Sequence, residues 1–440
     1  MTLLLFTIPF PVLFLVRYRL RPIFQSPAWV AVLTIWLIGL LGYLMSAALS
    51  GAQGATVSGD IGPDLAARTG RLFAATAICL SLGVALAAWL RPAPVEADGI
   101  VTGPVEISPT IQGWILPVST VPFLIVVFGG GNPMGLLERT DYLSGAAGGS
   151  VSGIAAHVGI GAVAACGYVF ARGKGSKRVL AVGLAVAYYL LFFALATRRI
   201  NVLPLCFALG AYVAVMNRRS KVGMLVAAAM GAATLPVPLY MRGIEHQGLI
   251  PYLKALPGLL SSDVSWTDTL NNVLVAFPIT ALSAFESSPI PLRNLLIELN
   301  PAPGNLAGWY QINGSMRLNR YTPFSGVGEV GNLGWFTVAV VWILVGVLLA
   351  WMDARCWRLV NDGARIAAAC IVGLAGLFAI SVVEYNLRNS QRDLIYAVIF
   401  IFTLQAWKAR SSRQSRASLL AVSTSAPAPS ANASTAIAQP

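Results

Sequence analysis

Two short turns between apolar runs carry the side chains best suited to chemistry. ATRRINVLP, residues 196–204, places Arg198 and Arg199 in a link of only a few residues. VVEYNLRNSQRDLIYAV, residues 382–398, places Glu384, Arg388, Arg392 and Asp393 in a second tight turn. Arg388 and Arg392 are four positions apart and share one helix face, as do Glu384 and Arg388. A guanidinium forced into a bilayer costs at least about 2.5–3.5 kcal/mol on insertion scales, so each of these arginines needs a partner or water. Snorkelling to lipid phosphate and pairing with the neighbouring acids are the plain explanations. The functional one is a fixed cationic site for an anion such as a diphosphate. A third stretch, SGVGEVGNLGW at 325–335, surrounds Glu329 and Asn332 with Gly326, Gly328, Gly331 and Gly334. Such glycine density admits close backbone approach by a ligand or a neighbouring helix. Arg139, set between Glu138 and Asp141, is a candidate charged wall of the same site.

The elements that must hold these residues are membrane helices. The chain has 440 residues, 57% hydrophobic and 11% charged, with mean hydropathy +0.72; a soluble domain carries about 25% charged residues. Its apolar runs are continuous rather than alternating, which excludes a transmembrane barrel and leaves an all-α, polytopic helix bundle. Candidate spans cover 2–16, 28–50, 73–90, 113–130, 150–171, 179–197, 200–216, 222–240, 333–351, 364–383 and 393–407. The first is short and carries Pro9 and Pro11, so a count of ten stays open beside eleven.

With alternating sides and the first loop inside, the inner segments hold 18 Lys or Arg against 5 acids, and the outer segments hold 12 of each sign. The net +13 is therefore entirely an inner excess, as the positive-inside bias requires. It calls for no nucleic acid. The N-terminus is expected outside and the C-terminus inside. Four regions follow: a membrane bundle over 1–240, a large polar loop over 241–332, membrane helices over 333–407, and a Ser/Ala/Pro-rich tail over 408–440, expected to be disordered and dispensable for chemistry. The loop opens with RGIEHQGLIPYLKALPGLLSSD, an amphipathic stretch suited to lying on a membrane surface. It also carries Glu286, Arg317 and Arg320.

The five cysteines avoid the large loop, so it is not a disulfide-stapled domain. With two histidines, His157 and His246, and no His/Cys cluster, no zinc site is expected. Asp60 and Asp64 in the first outer loop read as ordinary loop acids, with a metal pair as the alternative. His157 reads as a packed neutral histidine, with a proton role as the alternative.

Four places in the chain, TRRINVLP, LNPAPG at 299–304, SGVGEVGNLGW and RNSQRDLIYAV, resemble the Wzy-like bacterial polymerases that join oligosaccharide repeat units into O-antigen or exopolysaccharide. The resemblance runs loosely from 130 to 407; in the last motif Gln391 precedes Arg392 and no glycine follows. It implies an inner-membrane glycosyltransferase with its large loop in the periplasm, no cofactor and no metal. The substrates would be undecaprenyl-diphosphate-linked oligosaccharides, with a chain-length regulator and a flippase as further partners left open. A departing lipid diphosphate mainly requires cationic stabilisation, here assigned to Arg198 and Arg199, then Arg388 and Arg392, with Arg139, Arg317 and Arg320 as further contacts. An arginine cannot give up its proton to act as base. A carboxylate must accept the acceptor hydroxyl's proton, Glu329 first and Glu286 second.

Two other readings stay in view. A ligase-like transferase of the same architecture would depend on a loop histidine, for which only His246 is available. A non-catalytic polysaccharide exporter is disfavoured by the scarcity of ionisable groups within spans and by the concentration of charge in one loop.

Overall fold

A computed structural model describes residues 1–21, 25–46, 61–91, 107–129, 133–140, 150–260, 266, 269, 274–300, 302, 304–319 and 322–424. Among them the chain is all-α, with only two isolated β-bridges, Arg139 with Gln247 and Arg317 with Pro323. The main helices are α1 (Pro27–Leu44), α2 (Pro63–Trp89), α3 (Pro109–Phe128), α4 (Ser150–Arg172), α5 (Ser176–Ala194), α6 (Leu203–Val215), α7 (Arg218–Ala233), α8 (Leu292–Leu299), α9 (Gly326–Asn332), α10 (Trp335–Asn361), α11 (Arg365–Glu384) and α12 (Leu387–Thr424). Seven helices among the described residues are long and apolar enough to cross a membrane: Pro27–Leu44, Pro63–Trp89, Pro109–Phe128, Ser176–Ala194, Arg218–Arg242, Trp335–Asn361 and Ala367–Glu384. Shorter apolar helices cover Thr2–Leu15, Val158–Arg172 and Arg199–Val215. Helices satisfy their own backbone polar groups, which is what lipid demands. The chain is a helical membrane protein.

The compact units do not follow chain order. One comprises Met1–Tyr43, Asp64–Ala93 and Ile279–Pro440; the other comprises Leu44–Pro63 and Pro94–Pro278. The polar loop expected as one region over 241–332 is thus divided near residue 278. The physical reason lies in long-range packing, which puts α2 against the C-terminal helices. A Cβ at Gly83 of α2 would stand 2.1 Å from the Ile343 carbonyl oxygen of α10, and one at Gly346 would stand 2.3 Å from that of Leu80. Small residues let membrane helices meet backbone to backbone. Replacing Gly83 by valine is expected to cost about 3 kcal/mol, because the clash is with main chain rather than a movable side chain. Thermal unfolding of the purified protein reads this directly, with Gly113→Val, whose Cβ would meet nothing within 4 Å, as the control.

Buried charge ties the other end of that contact. The Arg19 guanidinium donates to the carbonyl oxygens of Ala88 (3.0 Å), Trp89 (2.9 Å) and Arg91 (2.7 Å) at the end of α2. Arg91 donates to Ala350 O of α10 at 2.6 Å, and the Arg21 amide donates to Asp353 Oδ2 at 3.2 Å. The helix-end carbonyls left over at a C-terminus are satisfied in this way by arginine.

In the other unit, α4 and α6 cross on Gly167 and Gly210, whose added Cβ atoms would lie 1.9 Å from Phe207 O and 1.7 Å from Ala164 O. Around them Tyr188, Phe192, Phe193, Met241 and Tyr252 form a buried aromatic-rich core. Tyr188 keeps its hydroxyl satisfied by donating to Ser119 O at 2.7 Å.

At the C-terminus α12 continues to Thr424, past residue 407 where the sequence predicts disorder to begin. The segment KARSSRQSRASLLAV holds helix-forming Arg, Gln, Ala and Leu with neither glycine nor proline, so nothing local stops the helix. Residues 425–440 lie outside the described residues.

Candidate functional site

Three of the four motif segments meet in the unit that contains α8 to α12. The lead-in to α10 is built first. Ser325 caps α9, its hydroxyl accepting from the Gly328 amide at 2.9 Å and sharing a 2.8 Å hydrogen bond with Thr280 Oγ1. Asn332 closes the helix: its Oδ1 accepts from Ile290 N at 2.7 Å, and its Nδ2 donates to Ser283 O and Ser287 Oγ, both at 3.2 Å. Ser283 and its neighbours form a single π-turn, Leu282–Glu286. Gly334, at φ +96°, then turns the chain into α10.

The glycines of this stretch approach protein. Added Cβ atoms at Gly326, Gly328 and Gly331 would lie 2.8 Å from Val382 Cγ2, 2.5 Å from Ser283 Cβ and 2.6 Å from Leu72 Cδ2. Of the two uses the glycine pattern allows, this structure displays close helix packing. The result is a seven-residue helix in which Glu329 is fully buried.

Glu329 faces a second carboxyl. Glu298 of α8 is also fully buried, and the two side chains lie within hydrogen-bonding reach of each other. Glu329 Oε2 accepts from the Leu387 amide at 2.7 Å; neither Glu298 oxygen nor Glu329 Oε1 meets a conventional donor. Two carboxylates cannot both stay ionised at such a distance in a dry site. Burial, then the neighbouring Glu298, holds Glu329 well above the usual carboxylate range. Burial likewise pushes Glu298 up to about 7, opposed by the hydrogen bond with Glu329 and by Arg388.

Arg388 completes the junction. Its guanidinium donates to Ile297 O at 2.9 Å, Asn300 O at 2.8 Å and Ala302 O, capping the C-terminal end of α8 and holding Asn300 and Ala302. It stacks 5.5 Å from the Trp309 ring centroid, while its Nε is buried without a partner. Gln391 donates to Glu298 O, and the Gly326 amide donates to Tyr385 O at 2.9 Å. Arg388 therefore spends its fork on carbonyl oxygens in this state. Arg392, one turn further along α12, is half-buried. Helix α8 buries Leu295 and Glu298 while exposing Leu292, Leu296 and Leu299, the reverse of a water-facing helix.

The remaining sequence candidates fall as follows. Glu286 is exposed at the end of the π-turn. Arg317 is half-buried, donating from Nε to Asn313 Oδ1 at 3.2 Å; Arg320 lies outside the described residues. In the other unit, Arg198 and Arg199 open a 3-10 turn, Arg198–Asn201, directly after α5. Arg199 lies half-buried, 5.8 Å from the Phe192 ring centroid, and the Arg198 side chain is outside the described residues. Arg139 is 7% exposed and donates to Gly135 O (3.1 Å) and Ala194 O (3.2 Å), while Arg242 donates to Ala196 O at 3.1 Å. Both thus brace the end of α5 beneath the Arg198–Arg199 turn. Asp60 and Asp141 lie outside the described residues, as does the His157 side chain; His246 is exposed.

Glu298 is not among the candidates that the sequence singles out in the polar loop. Its one signal is a position just ahead of LNPAPG, three residues after the apolar Leu295 on the same helix face. A scan against protein-family models and searches of curated proteins and of solved structures return no match to this chain.

Proposed function

We propose that the protein is a metal-independent membrane glycosyltransferase that polymerises undecaprenyl-diphosphate-linked oligosaccharide repeat units on the periplasmic face of the bacterial inner membrane, through an eleven-span bundle. The observation that carries this reading is the convergence of 297–302, 325–332 and 385–392, three distant segments, on one acid pair and one arginine at the head of a membrane helix. In the reaction an acceptor sugar hydroxyl attacks the anomeric carbon of the donor glycan. The bond to the diphosphate oxygen breaks, the lipid diphosphate leaves with the electron pair, and the hydroxyl proton passes to a carboxylate. Glu329 is that carboxylate; it is fully buried in this state, so the packing around it must open for the acceptor to reach it.

Arginines hold the leaving group by bidentate, charge-assisted hydrogen bonds. Arg388 positions, since its donors are committed to carbonyl oxygens. Arg392 is the anion contact of this unit; Arg198 and Arg199 are candidate anion contacts of the other unit, taken by itself. Arg392→Ala is accordingly expected to lower the transfer rate by about 10²–10³ while lowering the melting temperature by no more than a few degrees, as for a half-buried side chain. Glycan extension and thermal unfolding on the same preparation check both halves.

Deletion of the gene, followed by analysis of lipid-linked and surface glycans, tests the function itself. Single repeat units on undecaprenyl diphosphate with loss of long polymer support polymerisation. Accumulated long lipid-linked polymer would overturn it in favour of a later step, ligation or export.

A further inference from the structure

Of the four oxygens in the Glu298–Glu329 pair, one accepts a main-chain amide and three have no donor, in two side chains that are fully buried. An unsatisfied buried acceptor is costly, and an unsatisfied buried charge more so. A single hydrogen shared between the carboxyls reduces both problems at once. It pairs two of the three oxygens in one O–H···O bond and leaves one negative charge, which Arg388 faces. We propose that Glu298 is the positioning partner of Glu329: the pair is a binding site for one proton, and that proton fixes the Glu329 carboxyl and latches α8 onto α9.

The groups around the pair fit one net charge. From α12 come Arg388 and, beyond it, Arg392; from the turn Trp309–Ile312 comes Tyr310, which lies near Arg388. The π-turn offers only exposed Glu286, and α11 ends in half-buried Glu384. From α2, Arg68 stacks 4.3 Å from the Phe285 ring centroid and Arg71 donates to its own helix at Ala67 O. The first charged residue of α10 is Asp353, near its other end. Asp393, also of α12, is half-buried and bonded to Ser381. No third acid is placed against the pair among the described residues.

The sign of the pH effect follows. A carboxyl whose folded-state affinity for a proton exceeds its unfolded one stabilises the fold below the unfolded value and loses that contribution as pH rises through the folded one. For Glu298 the window runs from 4.5 to about 7, and Glu329 is shifted in the same direction. The latch is closed in mild acid and loosens above neutrality.

The test uses the purified full chain in detergent and the infrared carbonyl band of protonated carboxylic acids, recorded from mild acid to mild alkali as wild type minus variant. Glu298→Gln and Glu329→Gln each put an amide donor in place of the shared proton, so each lets the surviving carboxylate ionise and keeps the fold. The expected result is one band at neutral pH in the wild type that titrates away in alkali and is lost in both variants. Absence of the band, or its survival unchanged in either variant, overturns the proposal. The kinetic consequence rests on the polymerase reading. In extension assays Glu298→Gln lowers the pH midpoint of kcat, since the neighbouring carboxyl that raises Glu329 is gone, with KM little changed, a split that a merely structural role would not give. A wild type that shows the band but extends nothing sinks the polymerase reading alone. One that extends glycan without the band sinks the shared proton alone.

Discussion

Arg388→Ala is expected to be the most damaging single substitution in the protein, abolishing activity and lowering stability by about 3–5 kcal/mol, the cost of removing one partner from a buried charge pair. The guanidinium satisfies the carbonyl oxygens of Ile297, Asn300 and Ala302 and is the cation facing the acid pair. Without it the end of α8 loses its cap, the Glu298–Glu329 charge loses compensation, and the Trp309 ring loses its stacked partner. Arg388→Lys should rescue little. Lysine's point charge cannot reproduce a planar fork that reaches three carbonyl oxygens together. Thermal unfolding and limited proteolysis within 290–320 check the stability half. Retained stability in the alanine variant would show that the LNPAPG segment is held by something else.

Glu329→Gln has the second largest expected effect, and it falls on rate rather than fold. The amide oxygen still accepts from Leu387 N–H and the amide nitrogen donates to Glu298, so the junction stays satisfied. What disappears is the ability to take a proton, a loss of about 10²–10⁴ in rate for a general base. Glu329→Ala differs in kind, since it strands the Leu387 amide and leaves a buried void. A glutamine variant that is stable yet retains full activity would remove Glu329 from the chemistry.

The all-α membrane character was legible in the sequence because lipid imposes long uninterrupted apolar runs, and α2, α3, α5, α10 and α11 fall where those runs predict. LNPAPG, SGVGEVGNLGW and RNSQRD were legible as special because glycine, proline and arginine are conspicuous where a membrane protein should be plain. Their meeting point was not legible. Glu298 and Glu329 are 31 positions apart in sequence, and Leu387 is 58 beyond Glu329. No periodicity encodes such contacts. Nor does residue type tell how an arginine spends its donors. Arg139 and Arg388 turn theirs onto backbone carbonyls, a choice fixed by which helix ends lie within reach. Helix α8 misleads in a third way. Its exposed leucines and buried glutamate make sense beside lipid, with Ile290 N bonded to Asn332 Oδ1 at the head of α10, and would read backwards in water.

The most direct measurement is extension of a purified undecaprenyl-diphosphate-linked repeat unit by the purified protein in proteoliposomes containing chelator, followed by sizing of the lipid-linked products. Wild type should yield a ladder of multiples of the repeat, and Glu329→Gln should yield almost none while remaining folded. A wild-type preparation that is folded and supplied with the repeat unit native to its source, yet returns only unextended substrate, would contradict the account.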